Sequence, residues 1–288
     1  MILVYQMAKV ASMSWAEAAR PPAASQGGTP HHVHFIQQDN INHIASALNP
    51  FAKRQTIANM LLPRNAFRSG NRAREQLSAA LARGEDIRVI SGMRDPVARS
   101  ISWLTFMADF YGHTSEPLHP RSVIEADYVA ATLRDVWRKV IEDEEPDDTF
   151  AWLAWYVTGI YARWFEIELA QSLNVDVGKK PFKVDQGARV VVEDNARVLL
   201  YRVEDMRPGA AAYPALLSAA CEFLDTQMSA FPSNNVAANR RSQQLHGDVR
   251  ERFRLPLAWL DKIYRHPIMD CFYNPDEIGA FKSRWAER

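Results

Sequence analysis

Residues 2–15 read ILVYQMAKVASMSW, and this stretch decides the fold class. Ile2 to Gln6 form a short, nearly unbroken apolar run, the pattern of a parallel strand buried on both faces. A turn over 7–11 separates it from SMSWAEAAR (12–20), which reads as a helix with Ser12 or Ser14 near its N-cap. The order strand, tight turn, lysine, hydroxyl residues, helix is suited to an anion. A helix N-terminus presents unpaired N–H groups and a partial positive charge, so it holds phosphate or sulfate readily. Lys9 adds a full charge, and Ser12 and Ser14 add donors. No glycine occurs in 1–20, so the G-x-x-x-x-G-K-[ST] loop that wraps a triphosphate is absent. The plainer reading of the same residues is a surface lysine beside an ordinary helix cap.

Working outward, Pro21, Pro22 and the Gly27-Gly28 pair predict a loop, and HVHFI (32–36) alternates like a second strand. Helices are expected over 40–60 and 71–83, the latter closed by Gly84. A third strand, IRVIS (87–91), runs through Gly92-Met93-Arg94-Asp95-Pro96 into an aromatic-rich helix near 97–111. The middle is helical over 122–142 and 148–173, residues 182–195 have hairpin character, and RVLLYRV (197–203) is another core strand. The remainder is helical. Strands alternating with helices predict an α/β class with a central parallel sheet, in one domain over 1–288 with a helical insertion about 97–175.

The bulk properties bound the function. The 288 residues are 47% hydrophobic and 24% charged, which excludes a disordered chain. Lys+Arg and Asp+Glu both number 34, so the net charge is +0 and no general basic field exists for nucleic acid. An anion site must therefore be built locally. No run reaches the roughly 18 apolar residues of a membrane span, and the start lacks the pattern of a signal peptide. A cytoplasmic protein without a membrane span is the expectation. Cys221 and Cys271 lie in apolar surroundings, which suits burial or a reducing compartment.

A second anion-receptive segment is RDPVARSIS (94–102), directly after the third strand. Arg94 is placed at the strand's carboxyl end, where open α/β sheets bind ligands, and its guanidinium fork matches a phosphate. Asp95 and Pro96 make a clean helix entry, and Ser102 lies two turns further on. The plainer reading is that Asp95-Pro96 only starts a helix and Arg94 pairs with an acid.

Together the two segments resemble the sulfotransferase family that uses 3′-phosphoadenosine 5′-phosphosulfate (PAPS). YQMAKVASMSW (5–15) resembles its 5′-phosphosulfate loop, RDPVARSIS its 3′-phosphate site, and YRVEDM (201–206) a strand motif common in these enzymes. WYVTGIYARWFEIELAQSLNVDV (155–177) and FYNPDEIGAFKSRW (272–285) are similar to a bacterial group labelled putative capsular polysaccharide biosynthesis, sulfotransferase-like. The resemblance implies a P-loop-like three-layer α/β/α fold and sulfuryl transfer from PAPS to a carbohydrate hydroxyl. Lys9, Val10, Ala11, Ser12, Met13 and Ser14 are then expected to cradle the 5′-phosphosulfate, and Arg94 with Ser102 the 3′-phosphate. Lys9 also neutralises charge on the leaving phosphate oxygen, in an in-line transition state stabilised by positioning and positive charge. No metal is required. Arg241, beside Arg240, falls where the family places a basic loop over the adenosine.

A base must take the acceptor's proton, and histidine is a usual choice. His31, His32 and His34 lie on or beside the second strand, with 32 and 34 on one face. HHVHFI resembles the His-x-His strand of heparan sulfate 2-O-sulfotransferases, which makes His34 the expected base and His32 its catalytic neighbour. A zinc half-site and a plain packed cluster are the other readings of that pair. The stripe Trp152, Trp155, Tyr156, Trp164 and Phe165 is expected in the core, EDEEPDD (142–148) at a solvated helix end, and Glu204-Asp205 pairing with Arg202 or Arg207. Two other functions compete: a catalytically inactive nucleotide- or glycan-binding protein, and a P-loop-type kinase.

Overall fold

The computed structural model describes residues 1–25, 27–48, 64–112, 125–147, 149–179, 182–232 and 240–287. Five strands form one sheet: β1 (Ile2–Tyr5), β2 (His31–Val33), β3 (Ile87–Met93), β4 (Ala188–Glu193) and β5 (Ala196–Arg202), in the order β2-β1-β3-β5-β4. The first four in that order run parallel, and β4 returns antiparallel against β5. The protein is thus α/β with a mostly parallel central sheet. The chain's main compact groupings are two: Met1–Met93 with Arg163–Ser233, which holds the sheet, and Arg94–Ala162 with Asn234–Arg288, which is helical.

In the sheet unit, Ile2, Val4, Ile90, Leu199 and Tyr201 point to one face. Trp15 and Ala18 of α1 (Ser12–Ala18), Ala23 of α2 (Arg20–Ser25) and Leu216, Ala220, Phe223 and Leu224 of α9 (Tyr213–Leu224) cover them. The Tyr5 side chain faces the other way, against Trp164 and the π-helical turn Phe165–Ala170. Both faces of the sheet are buried, which is why β1 and β5 read as continuous apolar runs.

The order of the strands places the site. The chain passes from β1 to its neighbour β2 on one side, then crosses to β3 on the other side of β1. The carboxyl ends of β1 and β3 therefore flank a topological switch point, where connections leave in opposite directions and ligands of open α/β sheets bind. The loop that follows β1 is Gln6–Ala11.

Several local expectations are revised. Pro21 and Pro22 open helix α2 instead of a loop, because proline suits the first helical turn. β2 covers His31–Val33 only; beyond it, side chains take over the backbone's hydrogen bonds, as described below. Helix α3 covers Gln38–Leu48 and α4 covers Arg64–Ala82, and residues 49–63 lie outside the described residues. β3 runs two residues past Ser91, since β5 pairs with it up to Met93↔Arg202. The hairpin is β4 with β5 rather than 182–195. The helix expected over 148–173 is broken after α7 (Thr149–Gly159). A 3-10 turn, Ile160–Ala162, follows it, then the π turn and the short α8 (Gln171–Leu173).

In the helical unit, α5 (Pro96–Gly112), α6 (Ala126–Glu142), α7 and α10 (Arg240–Arg252) precede α11 (Leu257–Tyr264), α12 (Pro267–Phe272) and α13 (Pro275–Trp285). Asp95 ties its two chain segments together. It caps α5 through Val97 N–H at 3.1 Å and accepts from Tyr264 Oη at 2.6 Å and Trp285 Nε1 at 2.8 Å. Arg99 is fully buried and donates through Nη2 to the Val157 and Thr158 carbonyls at 2.5 and 3.0 Å. These are orphan carbonyls of the α7 terminus, so the cation sits at the negative end of that helix. Its burial pushes the guanidinium pKa down to about 10.

Gly92 shows how tightly the sheet closes. A Cβ there would lie 2.3 Å from Tyr201 Cζ, and Tyr201 is itself fully buried. Gly92→Ala is expected to lower unfolding free energy by about 2–3 kcal/mol in urea denaturation through overpacking. Gly279→Ala, in helix α13 with open space at its Cβ, is expected to raise it by about 0.5–1 kcal/mol.

Candidate functional site

The β1–α1 loop carries two non-glycine residues in left-handed backbone, Lys9 at φ 66° and Ala11 at φ 62°. Each such residue costs about 1–2 kcal/mol, so the surrounding structure must hold the loop in place. Left-handed residues in a short turn are also the geometry from which anion-holding nests of N–H groups are made. Ala11 is the N-cap of α1, and no side chain caps that helix start. Lys9, Ala11 and Ser14 are half-buried, Val10 and Ser12 are buried, and the Met13 side chain is 50% exposed.

What holds the loop is Tyr201, reaching across from β5. Its hydroxyl meets both the Val10 carbonyl and the Gln6 side-chain amide, the latter at 2.6 Å. One hydroxyl proton cannot serve two acceptors, and Gln6 Nε2 is otherwise buried without a partner. Amide oxygen and nitrogen are assigned from the hydrogen-bond network. The network here assigns Nε2 to the Tyr201 side: Gln6 Nε2–H donates to Tyr201 Oη, and Tyr201 Oη–H donates to Val10 O. An unsatisfied amide oxygen is the cheaper orphan. Val10 O is thereby fixed between the two left-handed residues. Burial, first of all, raises the Tyr201 pKa far above its usual value, so the hydroxyl stays a donor.

The same Gln6 also sets the His34 ring. Its N–H donates to Val33 O at 3.2 Å, extending the β1–β2 ladder by one bond. Its carbonyl lies 2.7 Å from His34 Nδ1. A carbonyl only accepts, so neutral His34 carries its proton on Nδ1 and leaves Nε2 with a free lone pair. Burial lowers the His34 pKa, against the smaller opposing effect of the Gln6 hydrogen bond, and the ring is neutral at neutral pH.

The chain after His34 is anchored from the opposite side. Trp164 Nε1 donates to His34 O at 3.1 Å. Glu168, fully buried in the π turn, accepts from Ile36 N–H at 2.9 Å, Gln37 N–H at 3.2 Å, the Tyr5 hydroxyl and the Asn40 amide. A π turn inside a helix commonly marks a functional position, and this one supplies Glu168, with Trp164 immediately before it, to hold the His34–Gln37 segment. Burial raises the Glu168 pKa, with those donors pulling the other way.

The structure thus brings Lys9–Ser14, His32 and His34 into one unit, with the loop and His34 just past the carboxyl ends of adjacent strands β1 and β2 and His32 within β2. His32 and His34 do share a face, with ring centroids 4.9 Å apart. Arg94, Ser102 and Arg241 belong to the other unit. Arg94 follows β3 directly and is half-buried, Ser102 is half-buried in α5, and Arg241 is in α10 with its side chain outside the described residues. Asp205 pairs with Arg202 at 2.6 Å, as its position in the sequence predicts, in a buried bridge. Among the described residues no three His, Cys, Asp or Glu side chains are grouped to hold a metal, and no helix is long and apolar enough to cross a membrane. Gln6, Glu168 and Tyr201 were not singled out by sequence, and Trp164 was expected only as a core aromatic, which its full burial bears out. The one available signal was an acidic residue, Glu168, set in an apolar aromatic run.

Compared with known proteins, the chain matches no family model, and no curated protein or solved structure is significantly similar to it.

Two outcomes are expected. Tyr201→Phe leaves the Val10 carbonyl and the Gln6 amide without their buried partner, and should cost about 2 kcal/mol in urea unfolding. The second concerns acid. Burial, and after it the His34 ring, pushes His32 down to about 4, and its Nε2 is buried with no hydrogen-bond partner. The folded state therefore prefers the neutral ring, and the unfolded chain binds the proton first. Stability from this group is complete above about pH 6.5 and is lost as pH falls toward 4. Stability measured against pH should show His32→Gln losing less over that window than the wild type, by on the order of 2–3 kcal/mol.

Proposed function

We propose that the protein is a P-loop-like three-layer α/β/α sulfotransferase of the cytoplasm, moving a sulfuryl group from PAPS to a carbohydrate hydroxyl. The observation that carries this reading is the juxtaposition at the end of β1. A strained, lysine-bearing loop at the sheet's switch point begins with the residue that also orients a neutral histidine. The first feature suits an anionic donor and the second suits an acceptor that must lose a proton. PAPS, when bound, supplies an activated sulfuryl group on a phosphate leaving group.

The residues present fit that donor. Lys9 brings an ammonium, Ser12 and Ser14 bring hydroxyls, and Val10, Ala11 and Met13 bring backbone N–H groups at a helix start that no side chain caps. Met13 carries no hydroxyl and is half exposed, so its part in this reading is its backbone N–H. As the acceptor oxygen bonds to sulfur, the sulfur–oxygen bond to the phosphate breaks and His34 Nε2 takes the acceptor proton. Lys9 offsets the charge gathering on the leaving phosphate oxygen, a role that positioned cations fill in related group transfers. Arg94 and Ser102 keep the 3′-phosphate role that the resemblance gives them, Arg241 that of adenosine contact, and His32 that of neighbour to the base.

Titration calorimetry with adenosine 3′,5′-bisphosphate, alongside a PAPS transfer assay with glycan acceptors, tests the reading. Micromolar binding is expected in the wild type, weakened about tenfold or more by Lys9→Ala, which removes a charged partner; Arg94→Ala tests the 3′-phosphate role separately. His34→Ala should keep the affinity while transfer falls by about 10²–10⁴. The wild-type rate should decline on acidification only below about pH 6.5, since the His34 pKa is lowered. No binding by the well-folded wild type would overturn the proposal. Metal-dependent stabilisation by ATP would favour a kinase, and binding without transfer an inactive binder.

A further inference from the structure

The His32–His34 pair at the end of β2 has a chemistry that proton transfer alone does not use. The two side chains share a face, with ring centroids 4.9 Å apart and ring planes at 85°. Metal–nitrogen bonds of about 2.0–2.1 Å place two imidazoles on a tetrahedral centre with their centroids about 5 Å apart, and on a square-planar centre about 4.5 Å apart. The spacing of this pair is the tetrahedral one. Both residues are half-buried, so a hydrated ion reaches them.

We propose that His32 and His34 form a two-histidine site for Zn²⁺, each ring binding through Nε2. The His34 ring is already arranged for it. Its Nδ1–H donates to Gln6 O at 2.7 Å, which leaves the Nε2 lone pair for the ion. A backbone carbonyl on the far ring nitrogen is the contact that orients a ligating imidazole and raises its basicity. Trp164 Nε1, on the His34 carbonyl at 3.1 Å, holds the backbone. His32 is set by the sheet, in register with Val4 of β1. Its Nε2 is buried without a partner, and its ring makes no hydrogen bond among the described residues. A buried nitrogen without a partner is costly, and a borderline-soft cation is the partner that suits a pair of neutral imidazoles.

Two protein nitrogens fill half of a tetrahedral shell, and among the described residues no third His, Cys, Asp or Glu joins them. Structural zinc sites use four protein ligands and catalytic ones three, so this site is weaker, at about 1–100 µM, and leaves two positions to water. Such an ion exchanges readily, which suits control and not structure. His31 points to the opposite face of β2 and takes no part. Coordination occupies the lone pair on His34 Nε2 that is to take the acceptor's proton. The consequence, which rests on the sulfotransferase reading, is that Zn²⁺ reversibly inhibits transfer.

Calorimetric titration of Zn²⁺ alone into the tag-free, chelator-treated full chain should show one ion per chain at about 1–100 µM. His32→Gln and His34→Gln should each weaken binding about tenfold or more, and His31→Gln should leave it unchanged. The wild type provides a second readout that needs no folded variant. In ¹⁵N-histidine-labelled protein, Zn²⁺ should shift the Nε2 resonances of His32 and His34, keep His34 Nδ1 protonated, and leave the His31 resonances in place. Neither measurement uses PAPS or an acceptor, so both decide the metal site whichever way the sulfotransferase reading falls. In the transfer assay, saturating Zn²⁺ should suppress the rate and a chelator should restore it. A folded wild type that binds no Zn²⁺ below about 1 mM, an affinity indifferent to both His32→Gln and His34→Gln, or shifts spread equally over all three histidines would each overturn the site. Transfer undiminished at saturating Zn²⁺ would overturn the inhibition.

Discussion

The sheet unit depends on how β1 ends. Gln6 is one residue past the strand, fully buried, and hydrogen-bonded on three sides. Its N–H continues the ladder to Val33, its carbonyl takes the His34 ring, and its amide supports Tyr201, which in turn fixes the Val10 carbonyl. Burying a polar residue is costly unless its groups find partners, and all but one atom of the Gln6 side-chain amide do. Here those bonds do two things at once: they set the tautomer of a histidine and hold two left-handed residues of a loop. His34 and the β1–α1 loop are positioned by the same buried residue, so neither can relax without disturbing the other.

Glu168 does the corresponding work from the other face. A carboxylate taken out of water is costly unless donors surround it, and four converge on this one. Two of them are the backbone N–H groups of residues 36 and 37, so the segment after His34 is fixed without belonging to a strand. In the helical unit, Asp95 and Arg99 of the RDPVARSIS segment are spent internally. Asp95 joins the start of α5 to Tyr264 and Trp285, and Arg99 answers the open carbonyls of α7. That division of labour within nine residues leaves Arg94 and Ser102 as the half-buried polar positions of the segment.

Much of the frame was legible because it rests on local periodicity. The apolar run at 2–6, the strand from residue 87 and the Asp95-Pro96 helix entry are encoded within a few residues of where they act. The shortness of β2 was not legible. Its end is dictated by Trp164 and Glu168, some 130 residues away, which supply bonds that a strand would otherwise make. The helical path of Pro21-Pro22 was misjudged for a different reason: the pair reads as a breaker, yet at a helix start the missing N–H costs nothing. The site was half legible. Lys9, Ser12, Ser14 and His34 stand out as chemistry-bearing residues beside a strand end. Gln6 and Tyr201 do not, since a strand-end glutamine and a core tyrosine acquire their roles only through pairing across the sheet.

The central claim is that the end of β1 holds His34 as a neutral ring with its proton on Nδ1. Long-range ¹H–¹⁵N correlation spectra of ¹⁵N-histidine-labelled protein at neutral pH, assigned with His34→Gln, read this directly. The account predicts a protonated Nδ1 and an unprotonated Nε2 for His34. A ring protonated on Nε2 instead, or one already charged at neutral pH, would contradict it.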